Sequence, residues 1–94
     1  MNMSATVTRK LKIVNEKGLH ARASARLVEV VEQHDARAAV SKDGLSAAGD
    51  SIMGLLMLAA SRGTIIEVQT SGPEAVQLAD AIESLIVDRF GEDM

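Results

Sequence analysis

Residues 36–48 read Ala36-Arg37-Ala38-Ala39-Val40-Ser41-Lys42-Asp43-Gly44-Leu45-Ser46-Ala47-Ala48. Two extended segments, Ala36 to Lys42 and Leu45 to Ala48, flank Asp43-Gly44. Asp-Gly is a strong hairpin signal, because a type I′ turn needs positive φ at both central residues. A hairpin here makes at least part of the sheet antiparallel. On its N-terminal side, Leu27, Val30, Val31 and His34 recur at spacings of three and four, which predicts a helix over 21–34. Before that helix, Thr6 to Val14 carries Val7, Leu11 and Ile13 at alternate positions, a half-buried strand. Asn15-Glu16-Lys17-Gly18 breaks it. On the C-terminal side, Ser51 to Ala60 reads as a short helix with Ser51 as its N-cap. Thr64 to Thr70 is a β-branched strand. Ser71-Gly72-Pro73 punctuates, with Pro73 suited to a first helical turn. Glu74 to about Arg89 repeats Ala75, Leu78, Ala79, Ile82, Leu85, Ile86 and Phe90 at helical spacing. The predicted order is β-α-β-β-α-β-α, an α+β fold in two layers with the helices on one sheet face.

The chain has 94 residues, 47% of them apolar and 24% charged. That predicts one domain over 1–94 with an ordered core of about 6–90, and it excludes disorder and collagen. There is no Cys. This excludes a disulfide scaffold, a thiolate metal site and a cysteine nucleophile. Phe90 is the single aromatic residue, so base-stacking platforms are missing. With a net charge of −3, the chain is not read as a nucleic-acid binder. The longest apolar run, Ile52 to Ala60, is far short of the ~20 residues that span a bilayer. The N-terminus lacks a signal-peptide core. The expectation is a cytoplasmic, membrane-free monomer.

Charge is unevenly divided: residues 1–47 carry eight Lys/Arg and five Asp/Glu, and residues 48–94 carry two and eight. Arg9, Lys10, Lys12, Lys17, Arg22 and Arg26 all lie in the first 26 residues. This asymmetry suits an anionic ligand or an acidic partner, or else a solvated face. Within it, Gly18-Leu19-His20-Ala21-Arg22 places an imidazole where a helix cap belongs. The backbone N–H groups of Ala21, Arg22 and Ala23 open the helix without intrahelical partners and, with the dipole, form an anion site. Arg22 adds a fork of donors suited to phosphate. A positive helix end favours neutral imidazole, which is a nucleophile. His20 is therefore a candidate phosphoryl acceptor; the competing reading is a histidine that only caps the helix. His34, at the opposite helix end, is read as structural. The two histidines have no carboxylate at metal-ligand spacing, so no metal or other cofactor is expected. Ser51-Ile52-Met53-Gly54-Leu55-Leu56-Met57-Leu58 is apolar nearly all round. Leu55, Leu56 and Leu58 are expected to pack inward, and Ile52, Met53 and Met57 to face a partner.

Together these residues resemble the HPr family, the histidine-containing phosphocarriers of the phosphoenolpyruvate-dependent phosphotransferase system. The family pattern Gly-Leu-His-x-Arg-Pro-Ala is matched by Gly18 to Ser24, and Ser-Ile-Met-Gly with its apolar run by Ser51 to Leu58. The resemblance runs from about Arg9 to Phe90. It implies an open-faced sandwich, a four-stranded antiparallel sheet covered on one face by three helices. It also implies that His20 is phosphorylated on Nδ1 and that Arg22 neutralises the phosphoryl group. Ser51 matches the regulatory serine of a dedicated kinase/phosphorylase, and Ile52, Met53 and Met57 match the patch that docks enzyme I and that kinase. The family proline is Ala23 here. Proline would fix the first helical turn, whereas Ala23 restores an N–H and removes neither charge nor nucleophile. Ala at this position is similar to members of the nitrogen-related regulatory branch.

The expected function is phosphoryl transfer from phospho-enzyme I onto His20 and on to an enzyme IIA protein. The chain is then a stoichiometric carrier and not an enzyme. The alternative is a regulatory signalling module, of the nitrogen branch or governed by Ser51, with no sugar-transport role. A histidine phosphoesterase ranks last. It needs a general acid beside His20, and neither Glu16 nor Asp50 has a spacing that places it there.

Overall fold

The computed structural model describes residues 5–93. The elements run β1 (Ala5–Lys12), α1 (Ala21–Glu32), β2 (Arg37–Lys42), β3 (Leu45–Ala48), α2 (Ile52–Met57), β4 (Ile65–Gly72) and α3 (Ala75–Val87). The predicted order holds throughout. The sheet order is β1-β4-β2-β3, and every neighbouring pair is antiparallel. The hairpin turns at Asp43 (φ 50) and Gly44 (φ 83), the positive-φ pair that the Asp-Gly signal requires.

Strand alternation divides the sheet into two faces. Ile66, Val68 and Thr70 of β4 are buried, while Ile65, Glu67 and Gln69 are exposed. On the covered face, Ile13, Leu27, Val40, Leu55, Ile66, Leu78, Ile82, Ile86 and Phe90 are fully buried. Each such side chain contributes about 1.5–3 kcal/mol of burial. Thr70 is the polar intruder, and its hydroxyl donates to the Ala75 carbonyl at 2.7 Å, so its polar group is satisfied at the start of α3. Arg9 also lies on the helix side of β1. It bridges Asp80 at 2.7 Å and Glu83 at 2.9 Å on α3. The hydrogen bond that Arg9 donates to Asp80 leads the effects that hold this guanidinium protonated more firmly than usual, against some desolvation.

Several boundaries differ from the sequence reading. β1 ends at Lys12; Ile13 N–H still bonds the Thr64 carbonyl opposite it, but the Ile13 carbonyl accepts from Gly63, outside the ladder. α1 ends at Glu32, and His34 lies beyond it, with Nδ1 donating to the Val30 carbonyl at 2.8 Å. This is the structural role read for His34. Pro73 sits outside α3, whose N-cap is Glu74. α2 is only six residues long. Leu55 and Leu58 are buried, as expected, but Leu56 is only half-buried. Ile52, Met53 and Met57 turn outward, at 40%, 69% and 75% exposure. After α3 a turn at Arg89–Gly91 carries the chain back to the start of α1, where Glu92 bonds His20. No helix among the described residues is long and apolar enough to cross a membrane.

Candidate functional site

The loop from β1 to α1 is clamped against the segment after α2. Ile13 N–H donates to the Thr64 carbonyl at 2.9 Å, Gly63 N–H to Ile13 at 2.7 Å, and Leu19 N–H to Ala60 at 2.8 Å. Gly18 turns the chain within this clamp at φ +66, and a Cβ there would lie 2.4 Å from the Ala60 oxygen. His20 follows in extended conformation and is the N-cap of α1. Its Nδ1 accepts the Arg22 N–H at 3.3 Å. Buried Ser24 locks the first turn, with Oγ donating to the Leu19 carbonyl and N–H to the His20 carbonyl. Of the three amides expected to hold phosphate, that of Arg22 thus serves the imidazole directly. Those of Ala21 and Ala23 belong to the same unpaired helix start. Ala23 is fully buried, so its side chain serves the core.

The imidazole is 27% exposed, in a cleft of about 600 Å3. Lys17, Arg22 and Arg26 line that cleft with it. Arg9 is engaged on α3, and Lys10 and Lys12 stand exposed on β1. The positive N-terminal third thus resolves into three cations at the site and three elsewhere.

Glu92 also lines the cleft, and sequence reasoning missed it. Its Oε2 bonds His20 Nε2, and its Oε1 accepts from Asn15 Nδ2 at 3.1 Å. The same Nδ2 donates to the Gly18 carbonyl at 2.8 Å. The gap of 72 residues between His20 and Glu92 leaves no local pattern to read. Asn15 signalled only a strand break. Glu16 and Asp50 are the acidic residues weighed beside His20 from the sequence; the carboxylate that bonds it is Glu92. Glu92 does not rescue the phosphoesterase reading, however, because it is held ionised. Burial raises its pKa, but hydrogen bonds from Asn15 and His20 and the charges of His20 and Lys17 outweigh this. The net result lies below the ordinary glutamate value.

A carboxyl whose pKa is lowered on folding adds stability above its unfolded pKa. That stability is lost as pH falls through the folded value. The unsubstituted chain should therefore out-melt Glu92→Gln near neutrality. The gap should close on acidification below about pH 4.3, the usual glutamate value, as melting curves across pH will show.

The comparisons agree with this geometry. The family model "PTS HPr component phosphorylation site" matches residues 7–88. The phosphocarrier protein HPr of Cupriavidus necator is 40% identical over 84 residues, 89% of this chain and 94% of that one. The phosphocarrier protein NPr of Klebsiella oxytoca is 35% identical over 89 residues, 94% and 99% of the two chains. A crystal structure of HPr from Thermoanaerobacter tengcongensis superposes with a TM-score of 0.89 at 30% identity, covering 94% of this chain and 99% of that one. The sandwich, the histidine at the start of α1 and the family match over nearly the whole chain converge: this protein belongs to the HPr family of phosphocarriers of the phosphotransferase system.

Proposed function

We propose that the chain takes a phosphoryl group from phospho-enzyme I onto Nδ1 of His20 and passes it to a histidine of an enzyme IIA protein. The observation that carries this is the orientation of the ring. Nδ1 faces an N–H of the α1 start, at the mouth of a cleft with Lys17, Arg22 and Arg26. The helix dipole, unpaired amides and guanidinium forks all favour added negative charge there. Positioning and charge stabilisation suffice for this chemistry, since the phosphoryl group needs little else from the protein. The protein works as a monomeric, stoichiometric carrier in the cytoplasm. Incubation with phosphoenolpyruvate and enzyme I, followed by mapping of acid-labile phosphate, tests the assignment. The regulatory alternative is separated by which enzyme IIA accepts the group.

Ser51 and the exposed Ile52, Met53 and Met57 form the proposed control and docking surface. Ser51 Oγ accepts the Gly54 N–H at 3.0 Å and so caps α2. Aspartate is an equally good N-cap, so Ser51→Asp should melt nearly as the unsubstituted chain does. It nonetheless puts charge beside an apolar patch, and burying that charge unpaired against a partner is costly. Uptake from enzyme I should slow by roughly tenfold, the rate equivalent of about 1.4 kcal/mol. Equal uptake rates for Ser51→Asp, genuine phosphoserine protein and the unmodified chain would show that docking occurs elsewhere.

A further inference from the structure

We propose that Glu92, held by Asn15, is a positioning residue for phosphoryl transfer: it fixes the His20 ring with Nδ1 as nucleophile and balances the charge the ring gains. This rests on the reading of His20 as the phosphoryl acceptor. Nε2 of the ring faces a carboxylate oxygen, which can only accept, so Nε2 carries the hydrogen. Nδ1 faces the Arg22 N–H, which can only donate, so Nδ1 carries the lone pair. In the transfer, that lone pair attacks the phosphorus of the donor's phosphohistidine. The new N–P bond forms as the donor's N–P bond breaks, and the released electron pair returns to the donor imidazole. The Nε2 hydrogen stays in place, so the phosphorylated ring is cationic. A carboxylate already seated at Nε2 meets that charge without reorganising, as a triad carboxylate does for its imidazolium.

The fold goes to some length to seat this carboxylate. After α3 the chain passes through Arg89 (φ 57), Phe90 (φ 55) and Gly91 (φ 77), three consecutive left-handed residues. Non-glycine residues persist in this region only where their surroundings over-determine them, and they cluster at functional sites. Phe90 is fully buried and pins the turn, and the Arg26 guanidinium packs where a Gly91 Cβ would stand. Asn15 is fully buried and leaves its own Oδ1 without a partner, while its Nδ2 serves Gly18 and Glu92. A carboxylate beside a site for a dianion is a liability unless it acts through the ring, and Glu92 holds the nitrogen on the other side of the ring from the lone pair.

The charged groups facing the ring are Glu16 and Lys17 from the preceding loop, Arg22 and Arg26 from α1, and Glu92 and Asp93 from the chain end. Of these, Glu92 is the one whose side chain bonds the ring. Glu92→Gln keeps the shape and an acceptor oxygen and removes the charge. With phosphoenolpyruvate and enzyme I as the phosphoryl source, Glu92→Gln should take up phosphate on the order of tenfold more slowly, a smaller loss than that from deleting an oxyanion donor. In 31P NMR titration, its phosphohistidine ring should lose the Nε2 proton about one pH unit lower than the unsubstituted protein's. Glu92→Asp restores the charge and should recover part of the rate. A merely structural Glu92 would lower the melting temperature alone. Unchanged uptake, measured where both proteins are folded, together with an unchanged titration midpoint would overturn the proposal. Failure of the unsubstituted chain to form phosphohistidine would overturn the parent reading, and this one with it.

Discussion

His20→Ala should carry no acid-labile phosphate after incubation with phosphoenolpyruvate and enzyme I, while remaining folded. The side chain is more than a quarter exposed, so its removal leaves no cavity in the core. What the fold loses is the N-cap acceptor for Arg22, at about 0.5–2 kcal/mol. Glu92 loses one partner but keeps Asn15, so the chain end has a remaining anchor. The variant should thus melt a few degrees lower and bind enzyme I through the same exposed patch, yet accept nothing. Only His34 could supply another phosphohistidine. Its Nδ1 is engaged with the Val30 carbonyl, so any phosphate there would sit on Nε2. The two positional isomers are distinguishable by 31P NMR. Persistent phosphohistidine in His20→Ala would remove the basis for the assignment.

Most of the fold was legible because its signals are local. Alternation in Thr6 to Val14, the Asp43-Gly44 turn and the helical stripe of α3 each specify one element, and two packed layers follow. The histidine at the start of α1 was legible for the same reason, since Gly18, His20 and Arg22 are neighbours in sequence. What escaped was set by tertiary contact. Arg9 looks like a site cation until packing hands it to Asp80 and Glu83. Glu92 looks like an acidic tail residue until the left-handed turn after α3 brings it to the imidazole. That turn runs against propensity at Arg89 and Phe90, so no residue-type rule predicts it. Asn15 is a similar case: a polar residue in a strand break reads as a turn former, and only its complete burial shows that it is structural.

Gly18→Ala should be the most damaging single-methyl change to stability in the site. Alanine at φ +66 is strained by about 1–2 kcal/mol. The added Cβ would also lie 2.4 Å from the Ala60 oxygen and 2.8 Å from the Ser61 Cα. Both are backbone atoms, so no side-chain rotation relieves the contact. Relief requires the loop to move, which breaks the 2.8 Å bond from Leu19 N–H to Ala60 at about 1 kcal/mol. Overpacking adds roughly 1–3 kcal/mol. A total of at least about 3 kcal/mol is large for a domain whose stability is on the order of 5–15 kcal/mol. Melting should fall by at least about 12 °C, at the usual 4–8 °C per kcal/mol for a domain this size. Gly44→Ala is the control, since Gly44 also has positive φ, at +83, but has nothing within 4 Å of an added Cβ. It should therefore show only the backbone strain, about 1–2 kcal/mol. Because Gly18 sits two residues before His20 and its carbonyl accepts from Asn15, the displaced loop also misplaces the ring and the amide that holds Glu92. Phosphoryl uptake by Gly18→Ala should stay slow even at temperatures where the variant is fully folded, whereas Gly44→Ala should transfer normally. Equal melting of the two variants would mean that the clamp between the β1–α1 loop and Ala60 yields freely and does not hold the imidazole in place.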